Sequence, residues 1–339
     1  MKYGLVGALA GGLIAIVPMV VMLTAAGPVT SSSASPPAAE QAGPAEPGTV
    51  VADTTSYYIA STDSDAVEEL GCANGEQHGR MTMFFGRPLP VDGDHGTNMW
   101  AAGPQATDTV TDVVRQFASG YARCRADSGH QLMIGVGTSN SQIDQRSDQW
   151  LEDHGRAWAA TVADLAAWAD ENHPEAVAIY GAWDAEPAWS TPAKARQWLQ
   201  GYESHPDHRP FHANFSADGC SWESSANEPC ANGWDQHDLW ELSSRDTSLP
   251  IPQIYANNGR NAGQWQMISA YGAREHDRPL QFHGALSQVQ ACDQRGGCEG
   301  ISNTPEEARR QLLDALNEDP ATAQDDVGTV SDMRWFTDS

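Results

Sequence analysis

Asp184 and Glu186 stand where an apolar run ends, in Ala-Val-Ala-Ile-Tyr-Gly-Ala-Trp-Asp-Ala-Glu-Pro-Ala-Trp over residues 176–189. In an extended chain, residues two apart point to the same face, so both carboxylates project together. Paired carboxylates drive one pKa up and leave the other group ionised. That combination supplies a proton donor near neutral pH and a charge that stabilises a cationic transition state. The chemistry suits cleavage of a glycosidic bond, with Glu186 as general acid and Asp184 tuning or stabilising it. An acid-x-acid triplet alone says little in a chain with 45 acids among 339 residues. Position carries the reading, because acids at the end of a buried strand cost several kcal/mol unless they are paired or used. The competing reading is a structural ion pair with Arg87.

Trp183 and Trp189 flank the pair, and an aromatic face beside carboxylates can hold a sugar ring by apolar contact, or simply pack. The other strand ends supply Arg87, Thr138, Ser139, Asn140, Asn214, Ser216, Asp218, Tyr255 and Asn257. A ring of mostly neutral donors and acceptors fits a polyhydroxylated ligand better than a phosphate. The expected substrate-binding set is therefore Trp183, Trp189, Arg87, Asn140, Asn214, Asp218 and Tyr255. Phosphate loops, GxSxG nucleophile turns, HExxH and GxGxxG signatures are absent from the sequence. His205 and His208 form a close pair without an evident third ligand. No metal and no cofactor is expected.

These residues need a scaffold whose strand ends converge. Short β-branched or aromatic runs alternate with helical stretches from Thr55 onward, the signature of a parallel sheet of βα units. The runs are Tyr57–Ser61, Met81–Gly86, Leu132–Gly137, Ala176–Ala182, Phe211–Phe215, Leu239–Ser243, Ile251–Tyr255 and Leu280–Leu286. Eight strands close a barrel. Helices are predicted over Asp65–Leu70, Asp108–Ala126, Asp153–Asn172, Pro192–Ser204, Asn261–Glu275 and Pro305–Asn317. The spacing of Trp158, Val162, Leu165, Ala166 and Trp168 lays an apolar stripe along the third of them. The expectation is an α/β fold, a TIM-like (β/α)8 barrel with long loops after strands two, three and five. Its sixth unit is irregular, because about seven residues are too few for a parallel crossover.

Lys2, the apolar stretch Gly4–Gly27 and a Ser/Pro/Ala-rich tract to about Gly48 read as an export signal and linker. Residues 1–27 are thus a cleaved signal peptide or a retained membrane anchor, 28–50 a disordered linker and 51–339 one barrel domain. The formal charge of -26 repels nucleic acid and anionic lipid. Any membrane contact would run through the N-terminal segment, and the chain reads as a monomer. Six cysteines at 72, 124, 220, 230, 292 and 298, none in a CxxC pair, suit disulfides in an exported chain. Cys220 with Cys230 and Cys292 with Cys298 would close short loops. Cys72 and Cys124 would meet at the C-terminal ends of neighbouring helices.

Phe-Phe-Gly-Arg-Pro (84–88), Gly-Val-Gly-Thr-Ser-Asn (135–140), Gly-Ala-Trp-Asp-Ala-Glu-Pro (181–187), Asn-Phe-Ser-Ala-Asp-Gly-Cys (214–220) and Pro-Gln-Ile-Tyr (252–255) follow in order. Through them, residues 55–318 resemble exported actinobacterial glycoside-hydrolase-like barrels, and the resemblance implies a (β/α)8 barrel with a D-x-E strand end and no settled substrate. More distantly, the chain resembles lysozyme-type and chitinase-type barrels, in which that Glu is the acid. Ala182 stands where the longer chitinase pattern has a further Asp, which argues against substrate-assisted chitin cleavage. Lysozyme-type barrels carry acids on other strand ends, for which Asp63, Asp65 and Asp218 are candidates. The sequence thus points to a secreted or surface-tethered hydrolase of cell-wall or extracellular polysaccharide. The alternative is a non-catalytic barrel that binds glycan or a surface partner.

Overall fold

The computed structural model describes residues 54–126 and 129–337. The signal or anchor segment and the linker expected over residues 1–50 lie outside them. The chain begins with β1 (Thr54–Ile59), α1 (Ser64–Ala73) and β2 (Gly79–Phe84), then makes a small antiparallel sheet of β3 (Arg87–Val91), β4 (Asp94–Met99) and β5 (Gly103–Ala106). It continues through α2 (Thr107–Cys124), β6 (Leu132–Ser139), α3 (Asp148–Asn172), β7 (Val177–Asp184), α4 (Pro192–Glu203) and β8 (Phe211–Ala213). The last part holds α5 (Gln236–Ser243), β9 (Ser248–Pro250), α6 (Arg260–His276), β10 (Gly284–Ser287), α7 (Val289–Asp293), α8 (Pro305–Asn317) and β11 (Thr329–Phe336).

Eight strands pair in parallel in the order β10-β11-β1-β2-β6-β7-β8-β9, which is chain order around a ring. Extended backbone beyond β9 makes the last join. Pro250 and Pro252 accept from the amides of His283 and Leu286 at 2.8 Å each, and Leu286 accepts from Ile254 at 2.8 Å. The result is a nearly closed α/β barrel of TIM type.

Alternation along each strand divides the core. Outward residues such as Ile179 and Trp183 pack with Trp158, Val162, Leu165 and Trp198 of the helices. Inward residues Tyr58, Phe84, Ile251, Leu286 and Met333 fill the barrel.

The run Leu239–Ser243 is helical, not a strand. It belongs to α5, opened by a capping box in which the Asp235 and Asp238 side chains accept from each other's amides. A five-residue apolar run cannot by itself distinguish strand from helix. The sixth strand is Ser248–Pro250, so the sequence run Ile251–Tyr255 continues it, and Leu280–Leu286 leads into the seventh. The eighth strand, β11, carries Ser331, Asp332 and Arg334 and breaks the apolar pattern. Ser331 is satisfied by the Ser56 hydroxyl at 2.6 Å, and Asp332 accepts from Ser287 Oγ at 2.8 Å and from the Val289 and Gln290 amides at 3.0 and 3.2 Å.

All three expected disulfides form: Cys72–Cys124, Cys220–Cys230 and Cys292–Cys298, with Cα separations of 4.9, 4.1 and 5.3 Å. The first ties α1 to α2 at their C-terminal ends. Those two helices and the α3/α4 pair share one device, reciprocal glycines at the crossing. A Cβ on Gly71 would collide with the Phe117 carbonyl and one on Gly120 with that of Glu68; Gly155 and Gly201 meet Trp198 and Glu152 in the same way. Backbone cannot yield as a side chain tip can. Gly155→Ala is expected to destabilise by about 3 kcal/mol, the upper part of the overpacking range, read as a lowered denaturant midpoint. An unchanged midpoint would disprove this close crossing. Among the described residues no helix is long and apolar enough to cross a membrane.

Candidate active site

The C-terminal end of β7 delivers Asp184 into the barrel, and the extended chain beyond it carries Glu186 on the same side. One residue joins them. Gln253, just past β9, donates from Nε2 to Asp184 Oδ1 at 2.8 Å and to Glu186 Oε1 at 3.1 Å, with the Asn214 carbonyl at 3.2 Å. The shared nitrogen keeps the facing oxygens within about 6 Å, the range in which neighbouring charges shift each other's pKa. Asp184 is buried and Glu186 half-buried.

Burial alone would favour the neutral form of each acid, and a third carboxylate adds to it. Asp218 comes from the loop after β8, where its Oδ2 accepts from the Ser216 hydroxyl at 2.6 Å and the Ala188 amide at 3.4 Å. Desolvation and then the charge of Asp218 push Glu186 up to about 8, with Gln253 opposing. Asp184 is raised well above the ordinary range by burial first, then by Glu186 and Asp218. The pair therefore retains a proton at neutral pH. Gln253→Leu removes the donor that favours the ionised forms, so the Glu186 midpoint is expected to move further up. Carboxyl carbon NMR titration would read it, and a downward or absent shift would refute this role.

Asn140, after β6, sets the height of Glu186. Its Oδ1 accepts from the Glu186 amide at 3.0 Å, and its Nδ2 donates to the Glu186 carbonyl at 2.9 Å and Ser190 Oγ at 2.8 Å. Asn140 is wholly buried and is corrected from a ligand contact to a positioning residue. Asn214 is likewise buried, with Oδ1 accepting from Thr82 Oγ1 at 3.3 Å and Nδ2 donating to the Ile251 carbonyl at 3.2 Å. It braces strands and presents nothing to a ligand. Trp183 is corrected too: alternation turns it outward, where it stacks on Trp198 at 4.6 Å and meets Phe215 edge-on at 5.7 Å.

Trp189 is 40 % exposed, outside the barrel core. Arg87 heads β3, half-buried, and among the described residues it makes no ion pair with either acid. The structural ion pair considered from sequence is therefore not formed. Asp63 caps α1 by accepting from the Ala66 amide at 2.8 Å, and Asp65 lies exposed in that helix's first turn. Of the additional acids, Asp218 is the one that acts on the pair. Among the described residues no group of three or more His, Cys, Asp or Glu side chains is arranged to hold a metal.

Tyr255 lies within the electrostatic field of the pair. It and Tyr58, from β1, share a hydrogen bond, and both phenols are raised by burial and by the charges of Asp184 and Glu186. Gln288 Nε2 donates to the Tyr58 hydroxyl at 3.0 Å. The Tyr58 ring continues outward, meeting Trp335 at 4.7 Å and Trp100 at 5.2 Å, with those two indoles edge-on at 5.2 Å. Trp100 and Trp335 border a cleft of about 420 Å³, lined also by Ala60, Ala101, Gln294, Arg295 and Thr337. Tyr58 thus packs against the aromatic wall of this cleft and lies within the electrostatic field of the carboxylates.

Gln253, Tyr58, Trp100 and Trp335 are absent from the sequence-derived set. Gln253 had a signal, since it lies two residues before Tyr255 in Pro-Gln-Ile-Tyr. Trp335 lies on the strand whose polar residues concealed it, and Trp100 on the insertion after β2. No known protein family, curated protein or solved structure matches the chain.

Proposed function

We propose that this protein is an exported glycoside hydrolase acting on a cell-wall or extracellular polysaccharide, with Glu186 as general acid. The observation that carries the reading is the carboxylate pair held by one amide, with Glu186 raised to about 8 and only half-buried. An acid with its midpoint near the working pH is both protonated and able to give the proton up. Glu186 donates its proton to the glycosidic oxygen as the bond from that oxygen to the sugar carbon breaks, and a water molecule adds to that carbon and gives up a proton that restores the acid. Asp184, deeper in the barrel and itself raised by burial and by Glu186, shares the proton of the pair and tunes Glu186. The aromatic cleft beside Tyr58 supports a sugar ligand, because an exposed indole such as that of Trp100 can cover the apolar side of a pyranose while its hydroxyls remain solvated.

Three disulfides and the apolar N-terminal stretch support export, secreted or tethered at the cell surface. The test is product release. The protein, incubated with a panel of cell-wall and environmental polysaccharides, is expected to liberate new reducing ends from at least one of them. Retention on a glycan without any release would instead favour the non-catalytic binding barrel.

A further inference from the structure

We infer that the cleft bordered by Trp100 and Trp335 takes a sugar residue bearing a carboxylate, and that Arg295 is the residue that selects it. The inference rests on the cleft being the sugar-binding face of the proposed hydrolase.

Arg295 is placed by several restraints. It follows α7 in a loop closed by the Cys292–Cys298 disulfide. Gln294 clamps that loop to β11, donating from Nε2 to the Trp335 carbonyl at 2.9 Å and accepting the Trp335 amide at Oε1 at 2.7 Å. Gly296 and Gly297, at φ of 91° and 93°, turn the chain away directly after Arg295, a conformation that glycine adopts without strain. The guanidinium itself lies over the Trp335 ring, its carbon 3.5 Å from the centroid.

Stacking uses the flat face of a guanidinium and leaves its N–H donors free around the edge. Among the described residues Arg295 has no ion-pair partner, although acids outnumber basic residues 45 to 19 in this chain. A fixed cation with unused donors on an aromatic wall is built for a planar anion, and a carboxylate matches the guanidinium fork in two parallel hydrogen bonds. Trp100, 39 % exposed and edge-on to Trp335, borders the same cleft and offers apolar ring surface for the same sugar beside the guanidinium. The net charge of the protein does not decide the matter, because at physiological ionic strength it is screened over roughly 8 Å.

The carboxylate could belong to a hexuronic acid or to a lactyl ether on an amino sugar, and calorimetric titration separates the two. The full protein is titrated with a hexuronate tetrasaccharide and with its carboxyl-reduced neutral counterpart. A second pair sets an amino-sugar tetrasaccharide with lactyl ethers against the unsubstituted one. At least one acidic member is expected to bind about tenfold tighter than its neutral partner, as one charge-assisted contact allows. Arg295→Met should erase that preference, bringing acidic and neutral members to equal affinity, while Arg295→Lys keeps part of it. Equal binding within both pairs, no binding of any of the four, or a preference that survives Arg295→Met would overturn the inference. If the preference holds but the protein cleaves no glycan, the hydrolase reading fails and this one stands.

Discussion

Glu186→Gln is expected to lower glycan turnover by roughly a thousandfold, within the range that a general acid contributes, while binding and folding persist. The substitution is nearly isosteric and replaces an acid that already carries its proton at neutral pH. Gln253, a donor to Glu186 in the parent, finds a carbonyl oxygen in the amide. The backbone anchors at Asn140 involve the Glu186 amide and carbonyl, not its carboxyl, so the loop keeps its place. What disappears is the transferable proton. Initial rates of reducing-end release, set beside circular dichroism and calorimetric affinity, separate the two effects. A variant that cleaves every responsive glycan as fast as the parent would remove Glu186 from the mechanism.

The second large effect is in stability against pH. Glu186 titrates at its ordinary 4.5 when unfolded and at about 8 when folded. Between those values the native protein holds a proton that the unfolded chain has released, so raising the pH favours unfolding. The parent is expected to lose up to about 1.4 kcal/mol for each pH unit across this window from Glu186 alone, with the loss levelling off above pH 8. Asp184, also raised, adds to the slope with the same sign. His154 and His212 are lowered by burial and cost stability on the acid side instead; they act equally in parent and variant. Denaturant midpoints from pH 5 to 9 should therefore fall steeply for the parent and less for Glu186→Gln. Parallel curves would show that Glu186 is not perturbed by folding.

Much of this architecture was legible because the barrel strands that read cleanly are buried on both faces, as in Leu132–Ser139 and Val177–Asp184. The errors fell where polar residues have private partners. Ser331 and Asp332 depress the apolar signal of β11, yet Ser56 and the start of α7 satisfy them. Leu239–Ser243 is apolar enough for a strand, but its capping box made it a helix. The D-x-E pair was visible from alternation and position. Its partner Gln253 was not, because nothing local in a proline-flanked segment shows that the sixth strand will face the fourth across the barrel. Trp183 failed for the reason that made the pair legible: the same alternation that sends Asp184 inward sends its neighbour out.

The join between the sixth and seventh strands rests on a few hydrogen bonds from extended backbone, where the β2/β6 and β6/β7 ladders run six and eight residue pairs. Gln253 sits on that join, bridged to Leu286. Thermal breathing should therefore reach this join more readily than those ladders, with the Ile254 and Leu286 amides exchanging ahead of those of β6. Each such opening would withdraw the amide clasp from both acids, so backbone fluctuation at this stave and proton affinity at the carboxylate pair are one equilibrium.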